Sequence, residues 1–127
     1  MTLDQLIPHD EALQEDLKDP EFRARWESTA LARWLAIEVA HYRAEHELSQ
    51  RALADQLGVH QSDVARMEMG EHTPTLDRLI RVAGGLGIEL MIDIHPQGRE
   101  AKLPRRKSSA RRSSFAAGGC EVVVAIA

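Results

Sequence analysis

The chain has 127 residues, 43% of them hydrophobic and 28% charged, with a formal net charge of −4; that length supports one modest core, since single domains usually hold about 100–150 residues. No apolar run approaches the ~20 residues that cross a bilayer, and the acidic opening MTLDQLIPHDEALQEDL lacks the basic start and apolar centre of a signal peptide, so a cytoplasmic protein without membrane contact is expected. The single cysteine, Cys120, has no partner for an intramolecular bridge, and the six histidines have no Cys or carboxylate companions at metal-ligand spacing; neither a disulfide framework nor a metal is expected, nor any cofactor.

The charge is divided unevenly along the chain. Residues 1–98 hold nine basic and 18 acidic side chains and are formally −9, whereas residues 99–127 hold seven basic and two acidic ones and are formally +5. In residues 1–18, Leu3, Leu6, Ile7, Leu13 and Leu17 fit a short amphipathic helix interrupted by Pro8. Asp19-Pro20-Glu21 is a clear helix start: Asp caps, Pro suits the first helical position, and Glu complements the positive end of the helix dipole. From there Phe22, Trp26, Ala30 and Trp34 recur at four-residue steps beside Leu31, Leu35, Val39 and Tyr42, so helical periodicity runs to about Glu47, with a break possible at Ser28-Thr29. Both tryptophans read as packing residues.

Ser49 precedes a two-turn helix, Gln50 to Leu57, which Gly58 stops in the left-handed conformation. A further helix is predicted from Gln61 to Met69, burying Val64 and ending at Gly70. Thr73 or Thr75 then caps a last helix whose inward face is read as Leu76, Leu79, Ile80, Ala83 and Leu86. Residues 88–94, IELMIDI, switch to period two, placing Ile88, Leu90, Ile92 and Ile94 on one face. No other stretch of residues 1–98 alternates in this way, and a lone strand cannot satisfy its own backbone, so pairing with a second copy of the chain is expected. The basic, Ser/Gly/Ala-rich stretch after Pro96 reads as a disordered tail able to neutralise phosphates, and the final EVVVAIA is apolar and β-prone without an evident role. The expected fold is all-α: a compact four- to five-helix bundle with one C-terminal dimerising β-strand. It divides into an acidic helical segment 1–28, a domain 29–95 and a basic tail 96–127.

The segment LSQRALADQLGVHQSDVARMEMG, residues 48–70, resembles the helix-turn-helix of the xenobiotic-response-element family, which includes phage Cro and repressor proteins. A short helix crossing a second at a steep angle needs a small residue at the meeting point, an apolar residue on each helix and glycine at the turn; Ala54, Leu53, Leu57, Val59, Val64 and Gly58 supply them. The resemblance covers about residues 33–86. It implies that the second helix of the pair lies in the major groove of a double-stranded operator, with Gln61, Ser62, Asp63 and Arg66 facing base edges. Arg suits guanine and Gln suits adenine through paired hydrogen bonds, and Asp63 either accepts from a cytosine amino group or caps the helix and holds Arg66. It points to Ser49, Gln50, Arg51 and His60 as phosphate contacts, with Ser49 also an N-cap, and to Arg43 and Glu68 as a structural ion pair beneath the motif.

Residues 41–82 hold five basic and seven acidic side chains, a balance that gives one copy little positive field, so a homodimer reading two half-sites about 34–36 Å apart is expected. The acidic lead-in DPEFRARWE, the central motif and the strand after the last helix together resemble the HigA-like antitoxins. That resemblance implies repression of the protein's own operon and a small, basic ribonuclease toxin as partner, which the eight acidic and three basic residues of segment 1–28 suit. A stand-alone repressor is the first alternative, and an interaction module that has lost DNA binding is the second. There is no phosphate-cradling glycine loop, no nucleophile with a recognisable base and no evident carboxylate pair, so an enzyme is not expected.

Overall fold

The computed structural model describes residues 11–101 and 111–126; the amphipathic reading of residues 1–10 and the basic cluster Lys102–Lys107 lie outside them. The chain divides into two compact units, Leu31–Ile88 and the flanking residues up to 30 and from 89 onward. Among the described residues, 11–28 and 96–101 with 111–126 contribute to the flanking unit.

In the flanking unit, α1 (Glu11–Asp16) and α2 (Pro20–Ser28) bury no residue. Asp19 caps α2 by accepting the Glu21 N–H at 3.1 Å, and Phe22 and Trp26 stack one turn apart, ring centroids 6.3 Å. The break lies where expected, because the Thr29 hydroxyl bonds to the Arg25 and Trp26 carbonyls. Three strands complete this unit: β1 (Leu90–Pro96), β2 (Arg111–Ala117) and β3 (Cys120–Ile126), antiparallel in the order β1-β3-β2, with α2 against β2.

This sheet corrects two expectations. The fold is not all-α with one strand: Leu90, Ile92 and Ile94 pair with Ile126, Val124 and Val122 of their own chain, while Ile88 precedes the strand and donates its N–H to the Ala83 carbonyl. Residues 111–126 are likewise not a disordered tail. The apolar EVVVAI, without a role in the sequence, is the central strand, and Val122 through Ile126 are all buried, as a strand covered on both faces requires. Gly118-Gly119, both at positive φ, form the two-residue turn that matches the twist of a β2–β3 hairpin. At the end of the sheet the His95 ring sits between Asp93 (Nδ1–Oδ1 2.7 Å) and Glu121 (Nε2–Oε2 3.4 Å). Hydrogen bonding to Asp93 first, and to Glu121, raises the pKa of His95 against its burial.

The central unit is helical: α3 (Ala30–Glu45), α4 (Gln50–Leu57), α5 (Gln61–Met69) and α6 (Leu76–Leu86). Its core is Trp34, Leu35 and Val39 from α3, Leu53, Ala54 and Leu57 from α4, Val64 from α5, and Leu79 and Val82 from α6. A Cβ at Gly85 would run into Leu57, so α4 and α6 approach at a distance only glycine allows. The Gln56 amide fixes that crossing by donating to the Tyr42 hydroxyl at 2.8 Å and the Gly85 carbonyl at 2.7 Å. One expected core face is corrected: Leu76 and Ile80 point outward, because α6 turns Leu79 and Val82 to the interior. Several apolar residues of α6 compete for one narrow contact, and periodicity alone cannot choose between adjoining stripes.

Candidate nucleic-acid interface

The turn between α4 and α5 is built from local chemistry. Ser49 starts α4, its Oγ accepting the Ala52 N–H at 3.0 Å. Gly58 ends it at φ 69°, donating its N–H to the last turn, and the Val59 N–H returns to the Ala54 carbonyl at 3.0 Å. His60 is extended and opens α5, its N–H donating to the Asp63 carboxylate at 3.0 Å. Arg81 of α6 donates to the Gly58 carbonyl at 3.3 Å, tying the turn to the last helix.

Under the turn runs a continuous polar chain. Arg43 meets Glu68 through two bonds, Nε–Oε1 at 2.7 Å and Nη2–Oε2 at 3.1 Å, and its Nη1 donates to the Leu48 carbonyl. The Gln50 amide donates to the same Glu68 carboxylate at 3.0 Å, and the Gln61 amide donates to the Gln50 carbonyl oxygen at 2.8 Å. Burial pushes the Glu68 carboxyl up, but the bonds from Arg43 and Gln50 outweigh it and leave it below its usual range; the bond to Glu68 raises Arg43 in return. The expected ion pair is therefore present, joining α3 to α5. Gln50, expected at phosphate, is the link from that pair to the first residue of α5.

Of the residues predicted to face bases, Gln61, Ser62 and Arg66 are exposed on the first turns of α5. With one amide hydrogen on Gln50, Gln61 keeps its carbonyl oxygen and second hydrogen free for the acceptor–donor pair that adenine presents. Asp63 is turned back on its own helix: its side chain is 18% exposed, and Arg66 and Arg78 approach it at 3.6 and 3.5 Å. The His60 N–H, then Arg78 and Arg66, draw its carboxyl below its usual range against desolvation. Between the two roles open to Asp63, this geometry gives capping and holding Arg66. Arg78 was not foreseen; it reaches Asp63 from α6, and no local spacing links the two. Ser49, Arg51 and His60 are exposed near the start of α4 or α5, where free backbone donors suit an anion.

The face that results presents an amide, a hydroxyl and a guanidinium from one short helix, flanked by two helix starts. No helix among the described residues is long and apolar enough to cross a membrane. Residues 39–91 match the family model described as Helix-turn-helix. No curated protein and no solved structure shows significant similarity to the chain.

Proposed function

We propose, from a helix-turn-helix domain that fits sequence-specific DNA binding and transcription regulation, that this protein is a repressor whose α5 reads an operator from the major groove. The observation that carries the reading is the polar chain from Arg43 to Gln61, which holds the first base-facing side chain from beneath while Asp63 holds Arg66. Arg66 reads guanine, Gln61 adenine, and Ser62 supports either; Ser49, Arg51 and His60 take phosphates, which position without specifying. Two copies act together, since residues 41–82 are too acidic for one copy to bind firmly. Selection of bound duplexes from a random library tests this: enrichment of a two-fold repeated site supports it, and a pool that stays random overturns it.

The finer reading is that the repressor is the antitoxin of a toxin–antitoxin operon. What favours it is that α1 and α2, within an acidic stretch, bury no residue and leave Glu11, Glu15, Asp16 and Glu21 exposed to a basic partner. Co-purification with the product of the adjacent gene, lost when Asp16 and Glu21 are changed to Lys, is the expected result. A stand-alone repressor would show no such partner.

A further inference from the structure

The outward side of α6 is apolar where a surface helix is normally polar. Leu76 and Ile80 are 72% and 62% exposed, and at four-residue spacing they share one stripe with Gly84, the three falling within roughly 80° of arc. Gly84 differs from its neighbour Gly85. A Cβ at Gly84 would meet nothing within 4 Å, and its backbone is not in the left-handed region, so packing among the described residues does not require glycine there. A glycine inside a helix costs about 1 kcal/mol relative to alanine. Beside the stripe lie Asp77 and Arg81, ion-paired at 3.2 Å.

We propose that this face of α6 is the surface through which two copies of the chain meet, the helices antiparallel across a two-fold axis near Ile80. The inference rests on the reading above and names the contact that reading needs. A two-fold axis at residue 80 sets Leu76 over the partner's Gly84, and Gly84 under the partner's Leu76, so the most exposed large apolar side chain lies on bare backbone. Ile80 meets its own copy. Asp77 comes close to the partner's Arg81, and each ion pair within one copy can be shared by four charges. Large against bare and acid against base at symmetric places is the complementarity an isologous contact demands, and a foreign partner would have no need of it. Because α6 belongs to the same compact unit as α5, the contact also fixes how far apart the two recognition helices stand. The stripe is small, so association is weak without DNA and is reinforced when both half-sites are engaged.

Sedimentation of the full chain, with and without one-half-site and two-half-site duplexes, tests the proposal. Gly84→Gln replaces glycine by a better helix former in open space, so its thermal midpoint should not fall, while the partner's Leu76 is denied its seat. The expected results are a reversible wild-type dimer, at least tenfold weaker dimerisation for Gly84→Gln, unchanged affinity for a single half-site, and loss of the gain from a second. Ile80→Cys, placed in a Cys120→Ser background, should oxidise to a covalent dimer. A wild type that stays monomeric overturns the proposal, and so does a Gly84→Gln dimer as tight as the wild type, which would move the contact elsewhere, such as the outer edge of β1. If dimerisation is sensitive to Gly84→Gln but no duplex is bound, the interface stands and the DNA-binding reading fails.

Discussion

The elements of the two units are specified over different ranges of sequence. In the helical unit α4 and α5 are separated by residues 58–60 alone, and each helix begins and ends with its own cap, so much of the fold is specified within a few residues. In the sheet, β1 meets its only described partner, β3, across residues 97–119, and loop closure must be paid before any pairing is gained. The first unit carries its polar chemistry on a locally built frame. The second depends on one apolar strand that is meaningless until its neighbours arrive.

The largest test of this difference is Val124→Asp, which puts a charge at a fully buried position of the central strand and should destabilise the sheet by at least about 3 kcal/mol. The methyl resonances of Val122 to Ile126 should lose their dispersion while those of Leu53 and Val64 keep theirs; simultaneous collapse of both sets would show that the two units fold as one. Next in size, Arg66→Ala and Gln61→Ala should each weaken operator binding by about 1–3 kcal/mol with the helical signal unchanged. Affinity unaltered in both would remove them from the interface.

Arg43→Ala should lower the stability of the helical unit by about 1–2 kcal/mol, less than a fully buried pair because Arg43 remains 30% exposed. The folded-state carboxyl of Glu68 lies below its usual 4.5, so its contribution is present above that value and fades as the pH falls through the lowered one. Wild type and variant should therefore converge in thermal midpoint in acid; a constant gap would deny the carboxylate its part. The smallest effect belongs to the sheet. His95 is raised above its usual 6.5, so its stabilisation is complete below about pH 6.5 and is lost as the pH rises through the raised value. The advantage of wild type over His95→Gln should shrink over that interval, and a gap that widened instead would reverse the assignment.

What the sequence by itself determined lies within a few residues of each signal: Ser49 and Gly58 as the ends of α4, and Val64 and Leu53 in the core. Caps, positive φ and helical period are set by neighbours in the chain, and so survive without knowledge of the fold. The Arg43–Glu68 pair and the exposed set Gln61, Ser62 and Arg66 were legible for a different reason, since they came from a resemblance and not from spacing. Gly118-Gly119 between two short runs was a hairpin signal that the basic, small-residue composition around it obscured. Tertiary structure alone decided that β3 pairs with β1, that Arg78 reaches Asp63, and that Leu76 and Ile80 stay outside while Leu79 and Val82 go in. Each of these is a choice between surfaces of equal local merit, and only the packing of distant elements discriminates among them.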